Sequence, residues 1–96
     1  GVGGGTNRGF FIDAGSNIKS SLSICPDTNN NYDLGTTALR WRNIYTNDLN
    51  LSNEGGAGND VDGTTGNYTI QEGADELYLI NNKSGKKYKF NLTEVS

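Results

Sequence analysis

The clearest alternation of apolar and polar residues lies in the last third of the chain. Tyr68 and Ile70, then Leu77 and Leu79, then Tyr88, Phe90 and Leu92 each recur at every second position. That spacing sends them to one face of an extended strand and their neighbours to the other. The segments 67–71, 76–81 and 86–92 are separated by Glu72-Gly73-Ala74-Asp75 and Asn82-Lys83-Ser84-Gly85, both rich in turn formers. Together they predict a three-stranded antiparallel meander with one apolar side. Tyr78 and Ile80 fall on the opposite face, so the middle strand is apolar on both sides. A neighbouring copy of the chain would cover what a lone sheet leaves exposed.

The first half is less regular. Phe10-Phe11-Ile12-Asp13-Ala14 reads as a short strand closed by the turn residues Gly15-Ser16-Asn17. Ile18, Ser20, Leu22 and Ile24 share one face of a strand that ends at Pro26, which cannot donate to a ladder. The polar run Asp27 to Asn31 is expected to be a solvated turn, with a metal loop or a sugar-contacting tip as the functional alternative. After it, Leu34-Gly35 makes a second tight turn, Leu39 and Trp41 fit period two, and Arg42-Asn43 bends the chain. Ile44 to Ser52 is expected to be a strand, alternating as Tyr45, Asn47, Leu49 and Leu51. Asn53 to Gly66 is a glycine-rich connection whose only sizeable apolar residue is Val61, and two readings stand for it, an exposed loop or a disordered one. The organisation expected is therefore 1–52 as approach, short strands and motif segment, 53–66 as connection, and 67–96 as meander.

The stretch Asp33-Leu34-Gly35-Thr36-Thr37-Ala38-Leu39-Arg40-Trp41-Arg42-Asn43-Ile44-Tyr45 holds the single Trp and two of the three Arg. It resembles the Leu-Gly-Ser, Arg-Trp, Ile-Tyr segment that recurs in bacteriophage tail fibres and tailspikes. The resemblance implies an intertwined homotrimer, a place on the virion as an extracellular appendage, and a role in host attachment. Its implied partners are further copies of the chain, other tail or virion proteins, and a host surface glycan or protein receptor. In many such proteins the segment precedes an intramolecular chaperone domain. No Ser-Asp self-cleavage site follows Tyr45 here, so self-cleavage is not carried over.

Composition strengthens the expectation of self-association. Leu, Ile, Val and Phe make 20 of 96 residues, with 14 Gly, close to the level at which chains struggle to fold alone. Nine aromatics and a net charge of only -3 argue against disorder. A chain with so thin a core buries its apolar residues against copies of itself. Leu39, Trp41, Ile44 and Tyr45 are expected to supply buried area after the Leu34-Gly35 turn. The expected oligomer interface is Leu39, Arg40, Trp41, Arg42, Ile44, Tyr45, Tyr78 and Ile80, with the two arginines stacking on aromatics or pairing with carboxylates across a subunit boundary.

The remaining chemistry consists mostly of absences. There is no His and one Cys, so neither a zinc site nor a His-based triad is available within the chain. Cys25, beside Pro26, is expected to be a buried small hydrophobe. Asp60-Val61-Asp62-Gly63 imitates part of a calcium loop, but Gly58 and Thr69 occupy the first and twelfth ligand positions. The glycine string at Gly1 to Gly5 has no strand before it and is no dinucleotide loop. The acidic balance, with pI near 4.7, disfavours nucleic acid, and no apolar run is long enough to insert in a membrane. Lys83, Lys86, Lys87 and Lys89 protect the edge of the last hairpin. Asn50, Asn67, Asn82 and Asn91 each precede Ser or Thr by two positions, and in strands their short side chains are free to form hydrogen-bond ladders between neighbours.

The chain begins at Gly1 without Met and reads as a processed product or a piece of a longer polypeptide. The expectation is an all-β, non-enzymatic structural protein of short strands and Gly/Asn-rich turns, intertwined as a homotrimer, without catalytic residue, cofactor or metal. Two alternatives stand beside it. One is a monomeric carbohydrate-binding or adhesin-like β module. The other is a fragment of a depolymerising tailspike whose catalytic carboxylates come from several chains.

Overall fold

A computed structural model describes residues 10–96, and the glycine-rich approach before Phe10 lies outside them. The described residues form an all-β chain with six strands and no helix. It divides into two compact units, Gly1–Trp41 and Arg42–Ser96.

In the first unit, β1 (Phe10–Ile12) pairs antiparallel with β2 (Ile18–Ser20), Ile12 opposite Ile18. Asp13 organises the connection between them. Its Oδ1 accepts from the amides of Gly15 and Asn17, each at 2.9 Å, and its Oδ2 meets Lys19 Nζ at 3.1 Å. A short acidic side chain folded back on its own turn is what closes a five-residue hairpin loop. The strand expected over 18–24 stops at Ser20, where the Ser20 hydroxyl donates to the Leu22 carbonyl at 2.6 Å and accepts from the Leu22 amide at 3.0 Å. Such local bonds offer the backbone an alternative to a ladder. Cys25 is exposed, contrary to its expected burial, because the chain around it lies in no sheet.

The second unit is a four-stranded antiparallel sheet, in order β3 (Leu49–Ser52), β4 (Asn67–Glu72), β5 (Leu77–Asn81) and β6 (Lys87–Lys89). The last three strands are the expected meander. Their turns close through Gly73 N–H to the Glu76 carbonyl at 2.7 Å and Gly85 N–H to the Asn81 carbonyl at 2.7 Å. β3 begins at Leu49 rather than Ile44, since only Leu49 to Ser52 have partners on β4. Residues 53–66 connect two paired strands of one sheet and lie inside the second unit.

Register sorts the side chains into two faces. Leu49, Ile70, Leu79 and Tyr88 are mutually opposite, as are Leu51, Tyr68 and Asn81, with Leu77 at the end of β5 opposite Glu72. The reverse face carries Asn50, Thr69, Ile80 and Lys87 in one row and Gln71, Tyr78 and Lys89 in the next. Lys87 and Lys89 stand on the edge strand β6, where charge discourages lateral addition of a further strand. Among the described residues no hydrophobic side chain is buried, and the one buried residue is Thr69 at 7% exposure.

Candidate functional site

Thr69 owes its burial to a polar ladder across the reverse face. Its hydroxyl donates to Asn50 Oδ1 at 2.6 Å and accepts from Asn82 Nδ2 at 2.9 Å. Asn82 Nδ2 also reaches Asn67 Oδ1 at 2.9 Å, and Asn67 Nδ2 donates to Glu54 Oε1 at 3.0 Å. Further along, Gln71 Nε2 donates to Asp48 Oδ2 at 3.2 Å. Three of the four Asn-x-Ser/Thr triplets thus converge, as Asn50, Asn67 and Asn82. Strand register brings them side by side, and each side chain satisfies the next.

The 53–66 connection is built on the same chemistry. Asn59 Oδ1 accepts from the amides of Val61 at 2.7 Å and Asp62 at 2.9 Å, while Asn59 Nδ2 donates to Asp62 Oδ1 at 2.8 Å and the Thr64 carbonyl at 3.0 Å. Asp62 Oδ1 also accepts from the Thr64 hydroxyl at 2.8 Å and the Thr64 amide at 3.1 Å. These donors, the Thr64 hydroxyl first and Asn59 next, hold the Asp62 carboxyl below its ordinary value of 3.8. At the base of the loop, Asn53 Oδ1 accepts from the Gly66 amide at 2.7 Å. Gly58 is required for close approach, since a Cβ there would be driven into the Gly63 carbonyl.

Between this loop and the sheet end lies an open depression of about 820 Å³, lined in part by Asn53, Asn59, Asp62, Thr64, Tyr68 and Asn81. Most of its polar lining is already engaged. Asn59, Asp62 and Thr64 bond one another, and Asn81 Nδ2 donates to the Tyr68 hydroxyl at 3.3 Å while its Oδ1 accepts from the Lys83 and Ser84 amides. Asp62 faces side-chain donors there, and no group of three or more His, Cys, Asp or Glu among the described residues is placed to hold a metal ion.

The residues expected at the interface lie in three places. Leu39, Arg40 and Trp41 end the first unit, in a loop closed by the Thr36 amide on the Leu39 carbonyl at 2.9 Å and the Leu39 amide on Thr36 Oγ1 at 3.0 Å. Gly35, with φ of 90°, turns the chain beneath Trp41, and a Cβ there would meet the indole at 3.7 Å. Arg42, Ile44 and Tyr45 open the second unit outside any strand. Leu39, Trp41, Ile44 and Tyr45 do not supply buried area within the chain: Trp41 is 65% exposed and Tyr45 91%. Among the described residues their segment has no ladder partner. Neither Arg40 nor Arg42 joins an ion pair among the described residues. Tyr78 and Ile80 share the reverse face of β5, and the Tyr78 ring lies over Gly73 of its own turn.

Among the described residues the chain is a small all-β protein in which no buried side-chain polar atom lacks a hydrogen-bond partner and no hydrophobic side chain is buried. No family model, no curated protein and no solved structure matches it. Among the described residues no helix is long and apolar enough to cross a membrane.

Proposed function

We propose that this chain is a structural segment of a virion appendage of the tail-fibre kind, self-associated as a homotrimer and serving host attachment. The observation that carries the reading is the exposed apolar surface. Among the described residues no hydrophobic side chain is buried, and Leu39, Trp41, Ile44 and Tyr45 are 65–91% exposed. The Leu34-Gly35 to Ile44-Tyr45 motif adds the resemblance that gives the assembly a biological setting. In this reading the protein is no enzyme and needs no cofactor. It docks on other virion proteins, and its polar loops are the surfaces offered to a glycan or protein receptor.

Trp41→Ala, Arg40→Ala and Arg42→Ala test the reading through native mass. Each is expected to shift the assembly toward single chains on dilution. Assembly unchanged in all three would remove the motif from the interface.

A single-chain glycan-binding module is the second reading, favoured by the depression beside Asn59, Asp62, Thr64 and Tyr68. A tyrosine face flanked by Asn and Asp is the chemistry of shallow sugar sites. Saturable glycan binding by a folded monomer would establish it in place of the first.

A further inference from the structure

We infer that the hydrogen-bonded clasp around Asn59 shields the Asp62-Gly63 bond, the place where this chain is chemically disposed to convert aspartate to isoaspartate. The inference does not depend on self-association and concerns the 53–66 loop alone. The sequence holds one Asp-Gly pair, Asp62-Gly63, and no Asn-Gly pair. In such a pair the glycine backbone nitrogen can attack Cγ of the protonated aspartic acid, because no Cβ crowds the approach. A carbon-nitrogen bond forms, the carboxyl C-OH bond breaks, and the hydroxyl leaves as water with the Gly63 amide hydrogen. One water then opens the resulting succinimide. Opening at the former side-chain carbonyl returns aspartate, and opening at the backbone carbonyl gives isoaspartate of the same mass. Isoaspartate carries the backbone through the side chain, one methylene longer. That change would disturb the Asn59 amide to Thr64 carbonyl bond at 3.0 Å, inside the loop that joins β3 to β4.

The fold both creates this liability and opposes it. Gly63 has φ of 76°, where other residues are strained, while a Cβ there would meet nothing within 4 Å. Conformation rather than space therefore demands glycine at 63. Asp62 and Gly63 are exposed, so burial does not keep water away. Protection comes instead from how the two reacting groups are held. The Gly63 amide donates to the Asn59 carbonyl at 3.1 Å. Asp62 Oδ1 accepts from Asn59 Nδ2 and from the Thr64 hydroxyl, each at 2.8 Å, and from the Thr64 amide at 3.1 Å. The nucleophile and its target are thus committed to different partners, and the carboxyl is drawn to the amide one residue beyond the one that must attack it. Ring closure requires these bonds to be released, which makes local opening of the clasp the gate for the chemistry. The same donors favour the ionised carboxyl over the acid that the reaction consumes.

The test is the rate at which isoaspartate accumulates at position 62, read by peptide mapping of the full chain aged in mildly acidic buffer. The native chain, the chain unfolded in guanidinium and the Asn59→Ala chain would be compared, with circular dichroism as the check on β structure. The inference predicts that the native chain is slower than the unfolded one by more than about tenfold, equivalent to about 1.4 kcal/mol of opening free energy. Asn59→Ala, with its β structure kept, should approach the unfolded rate to within about threefold. If Asn59→Ala does not fold, Thr64→Val carries the comparison, since it removes one donor to Asp62 and keeps the branched side chain, and it should age several times faster than the native chain. A native chain that ages as fast as the unfolded one overturns the inference. So does a folded variant that ages as slowly as the native chain.

Discussion

Replacing Thr69 with Val tests whether the polar ladder holds the sheet together. Val keeps the shape and β-branching of Thr, so the strand loses the hydroxyl and little else. Two hydrogen bonds disappear, to Asn50 Oδ1 at 2.6 Å and from Asn82 Nδ2 at 2.9 Å. At about 0.5–1.5 kcal/mol net for each, the loss is about 1–3 kcal/mol. Asn82 keeps Asn67 as a partner, and the added methyl returns several tenths through burial at a site only 7% exposed. The expected destabilisation is therefore about 1–2 kcal/mol, on the order of 4–16 °C in Tm for a domain of this size. The measurement is urea unfolding at one fixed protein concentration, because the proposed assembly would make stability depend on concentration. A double-mutant cycle with Asn82→Ala isolates the pair, with an expected coupling of roughly 1 kcal/mol. A Thr69→Val protein as stable as the parent, or effects additive to within about 0.3 kcal/mol, would refute the ladder's role.

Gly58→Ala should open the 53–66 loop at a cost of about 1–3 kcal/mol, because the new Cβ meets the Gly63 carbonyl. Gly15→Ala, whose Cβ would meet nothing nearer than 3.5 Å, should be nearly neutral, and equal unfolding midpoints for the two would contradict the close approach. The carboxyls of Asp13 and Asp62 are both lowered in the folded chain, Asp13 chiefly by the Asn17 amide and Asp62 chiefly by the Thr64 hydroxyl. A folded pKa below the ordinary value of 3.8 means that the native state holds fewer protons. These contributions are present above that value and lost as pH falls through the folded pKa. Amide protection at Gly15 and Asn17, which donate to Asp13, and at Thr64, which donates to Asp62, should accordingly fall only below the ordinary carboxylate range, and a loss of protection above it would contradict the assignment.

Local chemistry decides how much of this was legible in the sequence. The meander was readable because Tyr68/Ile70, Leu77/Leu79 and Tyr88 alternate strictly and Gly73 and Gly85 sit in the turns between them. The two faces of β5 followed from the same alternation. The pairing of β3 with β4 was not readable, since a 14-residue connection separates Ser52 from Asn67 and nothing local specifies a partner across it. Alternation was also misleading over 21–24 and 44–48, where the pattern exists but no strand among the described residues pairs with it. The loop clasp was hidden for another reason. Asn59, Asp62 and Thr64 carry Asx-turn spacing, and that signal was masked by the surrounding glycines, which suggested an open connection. The Asn-x-Ser/Thr triplets were a better guide, because Asn50, Asn67 and Asn82 do form a ladder once register aligns them. The Trp41 segment was readable as a turn at Gly35, but Leu39, Trp41, Ile44 and Tyr45, expected to be buried, are exposed among the described residues.

The central claim is that this chain completes its core only with other copies of itself. Its most direct test is the native mass by light scattering coupled to size exclusion, followed over a wide range of dilution with circular dichroism as the check on folding. The account predicts three times the 10.3 kDa chain mass, unchanged on dilution until β structure and mass are lost together. A well-folded species that stays at 10.3 kDa would contradict it.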